Sequence, residues 1–246
     1  MSSPRILFLD IETFPQLAYT WSNYKVNVIS VKEPWSICCF SAKWLGGEHV
    51  TRALPDYKDS TDFQITRDLW RLVNEADIVI AHGADRFDIK KINSRFLFHR
   101  LSPPRPFRTV DTLKIARKLF GFTSNKLDDL CAGLGLGHKM NTGGFSLWQG
   151  CMEGNSAAWT RMRAYNKNDV VLLEKLYYRL LPWINNHPNT AVYLQKECCP
   201  KCGSTNLQSR GTRHTSTRAY RQWSCSDCGG WSRSTKSEGL VHITNA

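Results

Sequence analysis

The sequence predicts an α/β fold, in which helices flank a mixed five-stranded sheet, followed by a small strand-rich module. Three observations predict this organisation. The continuous apolar run Ile6–Leu9 is typical of a buried central strand. Between residues 35 and 181, short apolar segments alternate with segments whose apolar residues recur at helical spacing. The last fifth of the chain departs from that pattern and carries two C-x-x-C pairs.

Length and composition fit one substantial domain plus a small module, since the chain has 246 residues, of which 41% are hydrophobic. The 33 lysines and arginines exceed the 21 acidic residues and give a formal net charge of +12. An excess of this size favours a polyanionic partner, most commonly nucleic acid, over a role in solubility alone. The sequence shows neither an apolar run of membrane-spanning length nor a signal peptide. We therefore expect a soluble, cytoplasmic protein without a membrane partner.

The elements of the larger part follow from periodicity and turn residues. A strand at residues 5–13 opens the chain, and residues 14–34 are expected to be irregular. Residues 35–45 and 48–54 form a hairpin about the Gly46-Gly47 turn. The remaining strands are expected at residues 76–82 and 107–110, and the helices at 62–75, after Asp88, at 113–120, 126–134 and 157–181. Residues 141–155 are expected to form a surface loop on which Trp148 packs.

Acidic residues stand at the ends of several of these elements. Asp10 and Glu12 close the first strand and point to the same face of it, because side chains alternate along a strand. Asp88 follows the fourth strand, and Tyr165 and Asp169 share one face of the last helix. Taken singly, these residues could be solvated acids, a helix N-cap and a surface hydrogen-bonded pair. Taken together, they suggest a site for divalent cations, because converging carboxylates repel one another without them.

The C-terminal module is expected to hold zinc. Its two C-x-x-C pairs are Cys199/Cys202 and Cys225/Cys228, and four thiolates make the closed tetrahedral site of a structural zinc ion. A redox dithiol and a ligand role for Cys198 are the alternatives, and the paired C-x-x-C spacing argues against both. We expect a first domain at residues 1–184, a linker at 185–197 and a zinc ribbon that binds nucleic acid at 198–246.

Three motifs, in the order Asp10-x-Glu12, Phe87-Asp88 and Tyr165-x-x-x-Asp169, resemble those of the DEDD exonuclease superfamily in its DEDDy branch. That superfamily has the ribonuclease-H-like fold and includes proofreading exonuclease domains and ribonuclease D. Over nearly its whole length the chain is also similar to small phage-type nucleases of this fold that carry a C-terminal zinc ribbon. The resemblance implies a mixed five-stranded sheet flanked by helices and a 3′→5′ exonuclease activity.

The resemblance also implies a role for each residue that matches a motif. Asp10, Glu12 and Asp169 would hold one Mg²⁺ or Mn²⁺ ion, and Asp10 would hold a second with the help of Asp88. Tyr165 would orient the attacking water. The chain departs from the family at Gly83, where the second motif usually has an Asn that contacts the substrate. This departure concerns the grip on the terminal nucleotide and leaves metal binding intact.

Basic and aromatic residues are expected to contact the nucleic acid. The Gly-rich segment 133–139 follows a helix and lacks the spacing of a phosphate loop, so it is interpreted as a helix C-cap, with Lys139 as a phosphate contact. In the zinc module, cations interleave with aromatic rings, a pattern suited to phosphate contact and base stacking. The expected contacts there are Arg210, Arg213, Arg218, Tyr220, Arg221 and Trp223. A solvated charged hairpin is the alternative.

These observations lead to one prediction of function and two alternatives. The prediction is a two-metal-ion 3′→5′ exonuclease that acts on single-stranded nucleic acid, with DNA favoured over RNA. A structure-specific endonuclease on the same fold is the first alternative. The second is a nucleic-acid-binding protein with little catalysis, against which the complete set of acidic residues argues.

Overall fold

The computed structural model describes residues 3–24, 26–58 and 61–241. The outer ends of the two predicted domains, residues 1–2 and 242–246, therefore lie outside the described residues. In chain order the elements up to residue 180 are β1 (Ile6–Thr13), β2 (Leu17–Tyr19), β3 (Ser30–Glu33), β4 (Ile37–Trp44), β5 (His49–Ala53), α1 (Phe63–Glu75), β6 (Ile78–Ala81), α2 (Asp88–Phe98), β7 (Arg108–Asp111), α3 (Thr112–Leu119), α4 (Leu127–Gly133), α5 (Ser146–Met152) and α6 (Ser156–Leu180).

The five predicted strands form one mixed sheet in the order β5-β4-β1-β6-β7. The central strand β1 is antiparallel to β4 and parallel to β6, so it separates the hairpin from the strands that helices connect. This arrangement confirms the predicted mixed five-stranded sheet.

Helices cover both faces of the sheet, which explains the unbroken apolar run of β1. Phe8 lies in a buried cluster with Leu173 and Tyr177 of α6. The neighbouring residues Leu7 and Leu9 lie in a second cluster, together with side chains of α1 and α2. Because side chains alternate along a strand, the residues that follow Phe8 at intervals of two share its α6-facing side.

Two segments that were predicted to be irregular contain regular structure. Within residues 14–34, β2 pairs with β3 in an exposed antiparallel ribbon, so that prediction is wrong for these seven residues. The predicted surface loop at 141–155 contains α5, whose Leu147 and Cys151 are buried against Trp159 of α6. Burial against a neighbouring helix thus outweighs the low helix propensity that the glycines of this segment suggest.

The C-terminal module is a small antiparallel sheet preceded by a short helix. Its elements are α7 (Thr190–Leu194), β8 (Leu207–His214), β9 (Arg218–Cys225), β10 (Trp231–Arg233) and β11 (Gly239–Leu240). The central strand of this sheet is β9, which pairs with β8, β10 and β11. The cysteine cluster of this sheet is compatible with the predicted zinc ribbon.

The segment predicted as a linker, residues 185–197, contains α7 and is attached to the module. Thr190 donates its backbone N–H to Pro200 O at 2.9 Å and its hydroxyl to Cys199 O at 3.0 Å. On the other side, Lys201 donates to Pro182 O, and Cys228 packs against the apolar cluster of α6. The module therefore lies directly against the end of α6. Among the described residues, no helix combines the length and the hydropathy that crossing a membrane requires.

Candidate active site and metal centres

The structure gathers the predicted acidic side chains at the end of β1. Asp10 and Glu12 follow Phe8 on the α6-facing side of β1, and Asp169 reaches them from the middle of α6. Carboxylate oxygens of these three residues lie within 4.8 Å of one another. Asp88, the first residue of α2, lies outside that group of three, but its charge acts on both Asp10 and Glu12.

Burial and mutual repulsion make these carboxyl groups hard to ionise. Burial raises the pKa of Asp10 well above its usual value, and the negative charges of Glu12, Asp88 and Asp169 raise it further. Burial is also the main cause that raises the pKa of Glu12 to about 8 and that of Asp88 to about 7. The acidic cluster therefore has a deficit of positive charge when no cation is bound.

The donor set fits divalent cations. Asp169 Oδ1 is buried and has no hydrogen-bond partner among the residues that the structure describes. A buried carboxylate oxygen without a partner is costly, and it lies here within reach of two further carboxylates. Hard divalent cations such as Mg²⁺ and Mn²⁺ prefer oxygen ligands of this kind. Asp10, Glu12 and Asp169 could thus hold a cation.

Lys139 occupies a position in the acidic cluster that the sequence did not reveal. Its Nζ lies 2.6 Å from Asp169 Oδ2 and 5.0 Å from the centre of the Tyr165 ring. Gly137 brings the loop of Lys139 close to α6, because a Cβ at this position would lie 3.3 Å from Leu172 Cδ2. The φ of Gly137 is +121°, a value that side chains disfavour. The predicted helix C-cap and loop at residues 133–139 thus serve to place a cation beside Asp169.

Tyr165 lies beside the same two side chains, one helical turn before Asp169 on α6 and with its ring centre 5.0 Å from Lys139 Nζ. Burial, followed by the charge of Asp169, raises the pKa of Tyr165 well above its usual value, so the hydroxyl stays protonated. The ring packs edge-on against Trp148, with 6.2 Å between the ring centres. Tyr165 is therefore a fixed hydrogen-bond donor at the acidic cluster.

Asp88 and Asp111 both lie at the start of a helix, but only Asp111 serves as an N-cap. Asp111 accepts hydrogen bonds from the backbone N–H groups of Leu113 and Lys114 and is therefore the N-cap of α3. Asp88 is the first residue inside α2, and Phe87 holds the N-cap position. The N-cap alternative for Asp88 is therefore wrong.

A cavity of about 490 Å³ opens beside Asp10. Its walls carry three cationic side chains, Arg117 of α3, Lys126 before α4, and Lys139. Sequence analysis did not identify Arg117 and Lys126, because nothing in the local pattern places them near Asp10. The cavity is large enough for part of a nucleotide chain, and its walls have the charge that phosphate groups require.

His82 forms another part of the wall, and it is followed by Gly83, where the chain departs from the resembled family. His82 Nε2 lies 2.9 Å from Asn125 O, and its Nδ1 lies 2.9 Å from Thr112 Oγ1. Because a carbonyl oxygen only accepts, Nε2 donates its N–H to Asn125 O, and Nδ1 forms a hydrogen bond with the threonine hydroxyl. Both ring nitrogens are therefore used inside the protein. Gly83 adopts a φ of +93°, which favours glycine over Asn at this position.

The four predicted zinc ligands also come together. The four Sγ atoms lie within 4.8 Å of one another. The Sγ–Sγ distance is 3.6 Å both between Cys199 and Cys228 and between Cys202 and Cys225. Four thiolates at about 2.3 Å from one zinc ion would be separated by about 3.8 Å, so the cluster fits that ion. Cys198 is buried next to the cluster but is not part of it.

Of the arginines predicted to contact nucleic acid, two are unpaired among the described residues and two are paired with other side chains. Arg213 and Arg218 are exposed, and neither side chain has a hydrogen-bond or ion-pair partner among the described residues. Arg221 pairs with Glu238 at 2.9 Å, and Arg210 is hydrogen-bonded to Gln208 and Ser224.

The aromatic residues of the module differ in how far their side chains are exposed. Tyr220 is 8% exposed, and the guanidinium of Arg233 lies 3.9 Å above its ring, so the structure argues against the predicted contact of Tyr220 with a base. Side chains alternate along a strand, so the Tyr220 side chain points into the module while that of Arg221 points to solvent. Trp223 is half-buried. Trp231 is 55% exposed.

Comparisons with known proteins agree with this fold. A sequence model of the RNase H superfamily matches residues 7–181. A comparison with curated proteins gives no match. Among solved structures, the family B DNA polymerase from the hyperthermophilic archaeon Pyrobaculum calidifontis is similar, with a TM-score of 0.55 and 16% sequence identity. The similarity covers 74% of this chain and 25% of the polymerase chain, so this chain spans about a quarter of the polymerase's length. At this identity the similarity supports the fold alone.

Proposed function

Because the chain belongs to the RNase H superfamily, we propose that it is a metal-dependent nuclease that shortens single-stranded DNA from its 3′ end. The family supports a nuclease with a nucleic-acid substrate. The direction of cleavage and the preference for DNA rest on the resemblance of the three acidic motifs and on the basic charge of the chain.

One observation carries the proposal: three carboxylates from β1 and α6 meet within 4.8 Å, and one of their buried oxygens has no hydrogen-bond partner among the described residues. A structural ion-pair network would satisfy that oxygen. Lys139 supplies a single positive charge to a cluster of four acidic side chains, so further positive charge is needed before all four can ionise. Such a site suits divalent cations better than it suits a role in folding.

We propose that Asp10, Glu12 and Asp169 hold one divalent cation and that Asp10 and Asp88 hold a second. When bound, two such ions would supply a hydroxide-like water and stabilise the charge on the attacking and leaving oxygens of the phosphodiester. Asp88 and Asp169 are buried, whereas Asp10 and Glu12 are half-buried. Electrostatic interactions are strong where water is largely excluded, which fits this role.

The remaining side chains would orient the substrate and the water. Tyr165 stays protonated and could donate a hydrogen bond to the attacking water, a role for which its fixed position suits it. Lys139 could exchange its contact with Asp169 for one with the scissile phosphate. Arg117 and Lys126 would hold the strand in the cavity beside Asp10 through its phosphate groups.

The C-terminal module would bind the strand further from the site. One structural zinc ion held by Cys199, Cys202, Cys225 and Cys228 would fix its turns. Of the predicted contacts in the module, Arg213 and Arg218 are best placed to reach phosphate groups, since both are exposed and unpaired among the described residues.

A time course of cleavage tests the proposal. The substrates are 5′-labelled single-stranded DNA and RNA of one sequence, incubated with Mg²⁺, Mn²⁺ or EDTA. We expect a ladder of products that shorten from the 3′ end, with a metal requirement and a preference for DNA. Asp10→Asn and Asp169→Asn should abolish cleavage while DNA binding persists. Tyr165→Phe should slow cleavage by about 10²-fold or more, as the loss of a group that positions a proton does.

Asp68→Asn is the matched control, because Asp68 lies on α1 and pairs with Arg71, away from the acidic cluster. This variant should cleave like the original protein. A few discrete internal cuts would favour an endonuclease on the same fold. Binding without any cleavage in the presence of either metal would contradict the proposal and favour a binding protein.

A further inference from the structure

Asn166 is buried beside the acidic cluster, and none of the roles assigned above involves it. It follows Tyr165 on α6, and its side chain is fully buried between α6 and the sheet. Its Nδ2 lies 2.6 Å from Asp10 Oδ2 and 3.4 Å from the backbone oxygen of Asp10. An uncharged amide in this position adds no positive charge to the cluster, and what it offers Asp10 is a hydrogen bond with a fixed direction.

A second contact fixes the orientation of this amide. The Cys39 thiol of β4 donates to Asn166 Oδ1 across 3.5 Å. Turning the amide round would place its oxygen against two acceptors of Asp10, the carboxylate and the carbonyl, which repel it. The amide nitrogen therefore faces Asp10, and the amide oxygen faces the thiol.

The hydrogen bond distinguishes the two oxygens of the Asp10 carboxylate. Oδ2 is held by Asn166, whereas none of the residues in the described ranges donates a hydrogen bond to Oδ1. A carboxylate that is held by one oxygen keeps its rotation about χ2 restricted, so its other oxygen has a fixed direction. In metal sites, such outer partners orient the ligand and typically affect affinity or activity by about 10–100-fold.

We infer that Asn166 is a positioning residue, which holds Asp10 by Oδ2 and thereby presents Oδ1 to a divalent cation, with Cys39 fixing the orientation of the amide. The inference rests on the proposed function, because it assigns Asp10 to a cation. It adds a residue at an unspecified position of the third motif, between Tyr165 and Asp169, that contacts neither substrate nor cation.

Two variants of Asn166 separate hydrogen bonding from packing. Asn166→Ala removes the donor together with the volume of the side chain, whereas Asn166→Leu removes the donor and keeps most of the volume. Circular dichroism establishes that each variant is folded, and either one suffices for the test. Mn²⁺ binding is measured by electron paramagnetic resonance, and cleavage of labelled DNA is measured against Mn²⁺ concentration.

We expect Mn²⁺ affinity to fall by about 10-fold or more in both variants. The Mn²⁺ concentration for half-maximal cleavage should rise by a similar factor, while the KM for DNA stays unchanged and high Mn²⁺ restores part of the rate. Cys39→Ala should shift the Mn²⁺ dependence in the same direction by a smaller factor. Cys38→Ala, at the adjacent buried thiol, is the matched control and should leave it unchanged.

The outcomes separate this inference from the proposed function. If the original protein binds Mn²⁺ and cleaves DNA, and the folded Asn166 variants do so with the same Mn²⁺ dependence, the positioning role is wrong and the proposed function stands. If the original protein binds no Mn²⁺ and shows no metal-dependent cleavage, the proposed function fails and the positioning role fails with it. A loss of rate at unchanged Mn²⁺ affinity would also overturn the positioning role.

Discussion

The ammonium group of Lys139 and the carboxylate of Asp169 form an ion pair of 2.6 Å within the acidic cluster. Although burial alone would lower it, the charge of Asp169 raises the pKa of Lys139, so this side chain remains a cation. It balances part of the negative charge that Asp10, Glu12 and Asp169 bring together. A divalent cation that binds Asp169 must therefore compete with Lys139.

The first prediction concerns Lys139→Met. Removing the cation leaves the acids unbalanced, so the metal-free protein should unfold at a lower temperature. Because the competitor is gone, Mg²⁺ should bind more tightly and raise the unfolding temperature by a larger amount. Cleavage should nevertheless fall by about 10²-fold, as expected for the loss of one group that stabilises charge in the transition state. Differential scanning fluorimetry over a range of Mg²⁺ concentrations and a cleavage assay measure the two effects.

Lys175→Met is the control for this prediction. Lys175 lies on α6, the helix that carries Asp169. Its Nζ donates to Leu136 O at 3.1 Å, and it has no acidic partner among the described residues. Its removal should change neither Mg²⁺ binding nor cleavage. If Lys139→Met bound Mg²⁺ as weakly as the original protein or more weakly, competition at Asp169 would be ruled out.

The second prediction is that the metal-free protein loses stability as the pH rises from about 6.5 to 8.5. Unfolded Asp and Glu carboxyl groups titrate near pH 4, whereas in the folded protein the pKa of Asp88 is about 7 and that of Glu12 is about 8. In this interval the folded state therefore binds more protons than the unfolded state. The free energy of unfolding then falls with rising pH. Urea unfolding at several pH values measures the slope.

The comparison for this slope is the double variant Asp10→Asn, Glu12→Gln, in which it should become flatter. Saturating Mg²⁺ should flatten it in the original protein, because the bound ion stabilises the ionised carboxylates. Buried histidines such as His82, whose pKa is lowered by burial, act in the opposite direction, chiefly below about pH 6.5. The difference between the original protein and the double variant removes their contribution. A slope that is equal in both proteins would refute the assignment of this pH dependence to the acidic cluster.

The sequence predicts those features that depend on local pattern. The buried strand β1 follows from its continuous apolar run, because a strand covered on both faces of the sheet needs apolar side chains at every position. The N-cap at Asp111 follows from its place between a strand and a helix. The position of Asp169 on the inner face of α6 follows from its spacing to Tyr165. Each of these depends on residues that are close in the chain, so periodicity and capping rules reach them.

The remaining features depend on how distant segments approach one another. The contact of Asn166 with Asp10 joins residues 156 positions apart, and neither residue carries a local signal of it. The cations Arg117 and Lys126 reach the cavity only because α3 and α4 pack against α6. In β9, by contrast, strand alternation did contain the information that Tyr220 faces inward, but a short exposed sheet does not reveal which of its faces is covered.

The third prediction separates the arginines of the C-terminal module. Arg213→Gln and Arg218→Gln should each weaken DNA binding and reduce the slope of log affinity against log salt by about 0.7–1, since each is free to contact one phosphate. Arg221→Gln should have a smaller effect, because its guanidinium is paired with Glu238. Fluorescence anisotropy with labelled single-stranded DNA at several salt concentrations measures the slopes. Equal slopes in all three variants and the original protein would exclude this face from the interface.

The fourth prediction is that loss of zinc affects the whole chain. Cys225→Ser should release zinc, because it removes one of four sulfur ligands, and it should weaken DNA binding. The module packs against the end of α6 through Cys228 and through the contact of Lys201 with Pro182, so its unfolding exposes apolar surface of the nuclease domain. We therefore expect the unfolding temperature of the nuclease domain to fall as well, by several degrees.

Cys198→Ser is the matched control for zinc loss, because Cys198 neighbours a ligand but is not part of the cluster. It should retain one zinc ion per chain, as measured by elemental analysis, and should bind DNA normally. Full zinc content in Cys225→Ser would contradict the ligand assignment. Zinc loss with an unchanged unfolding transition of the nuclease domain would show instead that the module folds independently, because docking against α6 would then contribute no stability to the domain that carries the acidic cluster.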